Sequence, residues 1–320
     1  MTITQLKYIV AVEEEKSFAK AADKCFVTQP TLSMQVKKLE EALEIVLFDR
    51  STKPVKPTPI GRQIIEQARI SLSEVNRIYS IIKANELEEG GELRLGIIPT
   101  VSPYLLPLFA MSFMEKYPQI RLIIKEQTTK EIAFNLYNDN LDIGILATPS
   151  HYKDLVEIPL YYEPFVAYVS NNHPLMAREE IEFSDLNLNN MWLLEEGHCF
   201  RNQVINICSE RVSEDSTQTL RFESGSLETV RRIVEKQYGY TLLPELATTE
   251  FSKKQHTFLK QFKTPKPVRE ISLVTNRRFL HRKIIAQLKT TILENVPKRL
   301  QVNRTGSVIG IEKSQELSKN

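Results

Sequence analysis

Only three cysteines occur in 320 residues, too few for a disulfide framework, so any bridge between them is expected to be transient and functional. Neither a C-x2-C nor an H-x3-H spacing is present, which ranks a metal site low, and no cofactor is expected. Nothing approaches the ~18 uninterrupted apolar residues that cross a bilayer, so no membrane span is expected. The start, Met1-Thr2-Ile3-Thr4-Gln5-Leu6, has no basic n-region, and Glu13-Glu14-Glu15 breaks any apolar run. No secretory signal is read there, and the expected location is cytoplasmic. A net charge of +2 is too small by itself to indicate a nucleic-acid partner. What remains is an ordinary soluble composition, 42% apolar and 26% charged, long enough for two or three cored domains.

Two of the three cysteines fall in one stretch, Glu196-Gly197-His198-Cys199-Phe200-Arg201 through Cys208. A thiol attacks as its thiolate, and its ordinary pKa of about 8.5 falls beside cationic or hydrogen-bonding neighbours. Cys199 has His198 before it, Arg201 after it and Gly197 to bring the backbone close, and so reads as an attacking thiol of lowered pKa. Val204, Cys208 and Val212 recur every four residues, one apolar helix face, and Cys208 reads as a thiol held in reserve. If the intervening residues are helical, nine steps of about 1.5 Å separate the two Cα atoms by roughly 13 Å. A disulfide needs about 4.4–6.8 Å, so closing it requires the helix to unwind, and oxidation becomes a conformational switch. The plainer alternative is that both thiols are buried small hydrophobes.

The first sixty residues follow a different pattern. Leu6, Ile9, Val10 and Val12 stripe a first helix. Ser17 caps a second, whose Ala21 and Ala22 allow close packing, with Cys25 continuing that face as a core cysteine. Thr28 caps a third, with Pro30 in its first turn. Leu32, Val36, Leu39 and Leu43 line one side of it, and Pro30, Met34, Lys37 and Lys38 the other. Two helices across a tight turn, the second basic outward, fit a helix-turn-helix DNA reader. Gln29, Pro30, Thr31, Ser33 and Met34 are placed for base edges. Lys37, Lys38, Arg50, Lys53, Lys56 and Arg62 suit phosphates, which position without specifying. Pro54 and Pro57 shape the segment from Arg50 to Arg62, which has no acidic residue, into a wing. The competing reading is a solvated charged face on a plain helical bundle.

Thr58 and Pro59 start a fourth helix. Its seam of Ile60, Ile64, Ala68, Leu72, Val75, Tyr79 and Ile82 calls for a partner helix, best supplied by a second copy, until Gly90-Gly91 ends it. Alternating strands and helices then predict a mostly parallel α/β sheet with strands around Leu93–Ile97, Ile120–Ile124 and Leu141–Leu146. A second unit carries the cysteine stretch and Gly239-Tyr240-Thr241-Leu242-Leu243-Pro244. The chain returns to the first unit at Arg269-Glu270-Ile271-Ser272-Leu273-Val274.

Ser17-Phe18 through Ala21-Ala22, Thr28-Gln29-Pro30-Thr31-Leu32-Ser33, Lys38-Leu39-Glu40, Leu47-Phe48-Asp49-Arg50 and Thr58-Pro59-Ile60-Gly61 together resemble the DNA-binding domain of LysR-type transcriptional regulators. The resemblance implies an α/β protein with an N-terminal all-α winged helix-turn-helix domain over 1–61 and a long linker and dimerisation helix over 62–90. It also implies a two-subdomain, periplasmic-binding-protein-like effector domain over 91–302, split into 91–163 with 268–302 and 164–267. Residues 303–320 are polar and patternless and are expected to be disordered. Double-stranded DNA, RNA polymerase and other copies of the chain, as a dimer and then a homotetramer, are the implied partners.

Gly197-His198-Cys199 with Cys208, Ile98-Pro99-Thr100-Val101, Pro103-Tyr104-Leu105-Leu106-Pro107 and Ser226-Leu227-Glu228-Thr229 are similar to the peroxide-sensing members of that family. This implies an activator of oxidative-stress defence genes, with Cys199 as peroxidatic and Cys208 as resolving cysteine, reset by cellular dithiol reductants. Thr100, Thr129, His198 and Arg269 match the residues that hold hydrogen peroxide or steady the thiolate, with Thr128 able to replace Thr129 after a one-residue slip. Met34 departs from the smaller residue expected in the recognition helix, so base preference does not transfer. Two alternatives remain: a regulator of the same family that binds a small carboxylate between its subdomains, and a thiol peroxidase, against which the DNA-binding half argues.

Overall fold

The computed structural model describes residues 1–89, 91–208, 225–277, 282–301 and 306–311. The chain divides into two compact units, Met1–Asn85 and Glu86–Asn320. Val212 and Gly90 lie outside the described residues, as do the side chains of Tyr79 and Ile82.

In the first unit each helix begins where a short side chain takes up a free backbone N–H. Thr2 caps α1 (Ile3–Glu15), Ser17 caps α2 (Phe18–Lys24) and Thr28 caps α3 (Gln29–Leu43), with Pro30 in the first turn of α3. Apolar residues three and four apart turn inward, and Ile9, Val12, Ala21, Leu32, Val36 and Leu39 are fully buried in one core. A two-stranded antiparallel wing follows, β1 (Phe48–Asp49) with β2 (Lys56–Pro57). The Thr58 hydroxyl then accepts from Gly61 N at 3.0 Å and opens α4 (Pro59–Glu89). Ile65 and Ala68 of α4 complete the core, and Arg69 binds Glu13 and Glu14 of α1. The side chain of Cys25 packs against this core.

The second unit is built on β3 (Gly91–Ile97), β4 (Ile120–Glu126) and β5 (Ile143–Thr148), which are parallel. Between them run α5 (Ser102–Lys116) and α6 (Thr129–Tyr137). The fifteen-residue strand β6 (Leu155–Val169) then leaves this half; its first part pairs with β10 (Pro267–Asn276) and its last five residues with β8 (Tyr240–Pro244). The other half adds β7 (Glu180–Ile181), α7 (Cys199–Ile207), α8 (Leu227–Val234), α9 (Lys253–His256) and β9 (Leu259–Phe262). Strand β10 returns the chain, and α10 (Arg282–Asn295) covers the first half.

The expectation of a mostly parallel sheet needs correction. Strand β10 is antiparallel to β5 and to β6, and β8 and β9 are both antiparallel to β6. A chain that crosses outward on one strand and back on the adjacent one must run them in opposite directions. Each half has its own apolar core.

Two further expectations fail. Cys208 does not continue a helix: α7 ends at Ile207 and Cys208 is its extended C-terminal cap, φ −77°, ψ 121°. The expected disordered tail, 303–320, contains an ordered segment: β11 (Ser307–Val308) runs parallel to β10, and Ile311 is buried. Polar residues dominate the tail's composition, but Val308, Ile309 and Ile311 supply enough apolar surface to dock it.

Candidate redox site and nucleic-acid interface

Cys199 is the first residue of α7, where helix N–H groups have no intrahelical acceptor. Gly197 precedes it at φ +103°, a conformation that a side chain would strain. His198 is the cap residue but makes no side-chain capping bond. Around the Cys199 sulfur lie the backbone N–H groups of Cys199 and Phe200, the hydroxyl of Thr129 and the positive charge of Arg269. All of these favour the thiolate. Burial is the larger effect, however, and pushes the Cys199 thiol above its ordinary value. The expected lowered pKa is therefore wrong for this conformation: the cationic and hydrogen-bonding partners are in place, but the site is too dry for them to prevail. The Thr129 hydroxyl is buried and has no partner of good hydrogen-bond geometry, so it remains available to a ligand beside the thiol. Thr128 is engaged elsewhere, in a reciprocal cap with Glu131.

Arg269 sits beneath this site and is almost fully buried. Its guanidinium donates to Glu163 Oε2 at 2.9 Å, to Thr100 Oγ1 at 3.1 Å and to Thr100 O at 3.0 Å. It also lies 5.2 Å over the ring of Phe200. Glu163 is the cross-strand partner of Arg269 between β6 and β10, and it accepts Leu246 N at 2.7 Å. Burial raises the Glu163 carboxyl despite its cation. Sequence reading missed Glu163, although an acidic residue inside the apolar strand Leu155–Val169 was a signal. Thr100 reaches the site through Arg269. His198 Nε2 lies 3.5 Å from Glu195 Oε1 and against Gly225, where an added Cβ would come within 3.1 Å of that nitrogen.

A cavity of about 500 Å³ opens onto Cys199 between the first turns of α6 and α7, lined by Thr129, Ser150, Tyr152, Gly197, Arg201 and Ile311. At the other end of α7, Cys208 is a free thiol that burial pushes up to about 12. The two sulfurs belong to different cores: Cys199 packs with the first half, and Phe200, Val204, Ile207 and Cys208 with the second. At a rise of about 1.5 Å per residue the helix holds their Cα atoms roughly 13 Å apart. Because the thiolate is the nucleophile, and the greater reactivity of a more basic thiolate offsets only part of its scarcity, native Cys208 should react with iodoacetamide at pH 8 about a hundredfold more slowly than an ordinary thiol. Mass spectrometry of timed aliquots, with urea-unfolded chain as reference, measures this; equal rates in the two states would contradict it. Folding that raises a thiol's pKa also loses stability as pH climbs past the ordinary thiol value, since only the unfolded chain then sheds the proton.

In the first unit α3 presents Gln29, Pro30, Thr31, Met34, Lys37 and Lys38 to solvent, with Lys53 exposed near the wing and Ser33 half-buried. Arg50, expected to serve phosphates, also has partners within the unit. It pairs with Glu40 at 2.8 Å, donates to Ser33 at 3.4 Å and lies 4.8 Å over Phe18, which fastens the wing to α3.

Among the described residues no group of three or more His, Cys, Asp or Glu is placed to hold a metal, and no helix is long and apolar enough to cross a membrane. The model of the bacterial regulatory helix-turn-helix protein, lysR family, matches residues 3–62, and that of the LysR substrate binding domain matches 87–297. A hydrogen peroxide-inducible genes activator of Dickeya chrysanthemi is 35% identical over 86% of this chain and 89% of its own length. The Escherichia coli K12 DNA-binding transcriptional dual regulator OxyR is likewise 35% identical over 86% of this chain and 89% of its own. Among solved structures, a full-length OxyR variant of Pseudomonas aeruginosa is similar at TM-score 0.65 and 33% identity, covering 92% of this chain and 99% of that one. Reduced OxyR of Porphyromonas gingivalis gives TM-score 0.61 at 30% identity, over 68% and 99% of the two chains.

Proposed function

The chain belongs to the LysR family of bacterial helix-turn-helix regulators and is a DNA-binding transcriptional regulator rather than an enzyme; from that premise, we propose that it is a hydrogen-peroxide-responsive activator switched by a reversible Cys199–Cys208 disulfide. One observation carries the reading: two free thiols stand at the two ends of a single helix, the first open to a cavity and the two rooted in separate cores.

Peroxide enters beside Cys199, where Thr129 supplies an unused hydroxyl and Arg269 a positive field. The sulfur attacks one peroxide oxygen and the O–O bond breaks. The thiol proton passes to the departing hydroxide, giving water and a Cys199 sulfenic acid. Burial disfavours the attacking thiolate, so its partners matter most at this step: each lowers the barrier that desolvation raises. The Cys208 thiol then displaces the sulfenic hydroxyl, forming the S–S bond and a second water. That step needs the two Cα atoms to close from roughly 13 Å to about 4.4–6.8 Å, which an intact α7 forbids. Unwinding also exposes Cys208 and brings its pKa back toward the ordinary range, so the opening that permits contact also activates the resolving thiol. Released from both cores, α7 alters the contacts between copies of the chain, and with them the spacing of the recognition helices on DNA and the approach of RNA polymerase. Cytoplasmic dithiols return the bridge to two thiols.

Treating the reduced chain with peroxide and searching the digest for a linked Cys199–Cys208 peptide tests the proposal. The linked peptide is the expected product; two free thiols after treatment would refute it. The size of the cavity, with Lys130 and Arg201 on its wall, favours as second reading a small carboxylate ligand. A carboxylate-induced rise in melting temperature with no change at either thiol would select that reading.

A further inference from the structure

The segment 306–311 lies beyond the span 87–297 matched by the substrate-domain model. It docks on the two elements that the redox site depends on. On one side it joins strand β10 just before Arg269: Ser307 N donates to Lys266 O at 3.0 Å and Ile309 N to Val268 O at 2.9 Å. On the other side it lies along α7, where three consecutive carbonyls of the segment accept helix side chains. Gln203 Nε2 donates to Ile309 O at 2.9 Å, Asn206 Nδ2 to Gly310 O at 3.1 Å and Asn202 Nδ2 to Ile311 O at 3.2 Å. Ile309 packs against the second core, while Ile311 is buried in the first and forms part of the cavity wall opposite Cys199.

We infer that residues 306–311 are an intramolecular strap that holds α7 wound, so that the C-terminal segment sets how readily the Cys199–Cys208 helix opens. The inference rests on reading α7 as the redox helix. Its physical basis is independent of sulfur chemistry. Asn202, Gln203 and Asn206 occupy one side of α7, and Gln203 is completely buried under the seated strap, so removing the strap takes away the protein acceptor that Ile309 O gives its amide. Unwinding α7 would break all three bonds together, because a helix that loses its turn cannot keep these three side chains aligned on one extended segment. The strap also fixes α7 to the strand that carries Arg269, so the thiol and its cation keep their separation while the strap is seated.

Two variants release the strap: a chain ending at Thr305, and Gly306→Val in the full chain. At Gly306 an added Cβ would lie 2.3 Å from Lys266 O and 2.7 Å from Val268 Cγ1, so the first rung cannot form. Hydrogen exchange of the reduced proteins reads the strap without any oxidant. Amides of α7 should exchange at least about tenfold faster in both variants, while those of β3 and β5 stay as in the parent. Equimolar peroxide followed by rapid alkylation should then show the disulfide forming faster in both variants than in the parent. Unchanged α7 exchange in the two variants would overturn the strap, whatever the thiols do. Faster α7 exchange with no disulfide in any of the proteins would uphold the strap and refute the peroxide-sensing reading.

Discussion

Arg269→Ala should destabilise the effector unit by about 3–5 kcal/mol, because it strands a completely buried carboxylate without its cation. Glu163 and Arg269 are 0% and 1% exposed at their side chains. The guanidinium serves Glu163, both oxygens of Thr100 and the face of Phe200, so one truncation disturbs β6, β10, the lead into α5 and α7 together. The Glu163→Leu, Arg269→Met double variant should lose less than the single one, since no charge remains to be solvated. The sign of the pH dependence follows from Glu163. Burial raises its native pKa above the unfolded value, and losing Arg269 raises it further. The native state then holds a proton that the unfolded chain releases, so stability falls as pH rises from the ordinary carboxyl value through the raised one. Urea denaturation at pH 5 and pH 7 checks this: the Arg269→Ala midpoint should drop between them by more than the parent's does. A loss under about 1 kcal/mol, or no such drop, would show that the pair is not the keystone described.

Cys199→Ser should reduce peroxide-induced transcription to the uninduced level and abolish the linked peptide, with DNA affinity unchanged. The hydroxyl nearly matches the thiol in size, and the site is a helix start that tolerates serine, so the fold survives. A hydroxyl, unlike a thiol, does not attack the O–O bond under these conditions. DNA affinity is expected to persist because the core holding α3 is formed entirely by residues of the first unit. A reporter gene with and without peroxide, beside a binding titration at fixed salt, measures both halves of the claim. Induction surviving the substitution would remove Cys199 from the sensing role.

The helix-turn-helix unit could be read from sequence because its determinants are local. Ser17, Thr28 and Thr58 each satisfy an N–H three residues ahead, and Leu32, Val36 and Leu39 follow the helical period, so a window of a dozen residues contains the argument. The two thiols of the proposed switch were visible for the same reason, as two rare residues in one short stretch. What surrounds it was not. Glu163 meets Arg269 across 106 residues, through a strand register that no local pattern encodes. The raised pKa of Cys199 comes from burial between segments distant in sequence, whereas its neighbours His198 and Arg201 suggested the opposite. His198 turns toward Glu195 and Gly225, and Arg201 donates to Leu194 O at 2.8 Å. An apolar period of four also carries no mark of where a helix stops, which is why Cys208 looked helical. The tail hid its three apolar anchors among polar residues.

Helix α7 is rooted at one end in one core and along its length in the other, and this bears on the way back as much as the way out. Each large apolar side chain drawn from its packing forfeits about 1.5–3 kcal/mol, and Phe200, Val204 and Ile207 are all candidates for such displacement. For a two-electron couple about 1.4 kcal/mol corresponds to 30 mV, so even partial exposure of one of them would raise the reduction potential of the proposed bridge by tens of millivolts. On the proposed switch the oxidised molecule is in effect a drawn spring. That recoil favours reduction by any dithiol that reaches the bond, so on this proposal the signal fades once the oxidant is gone and reductant remains.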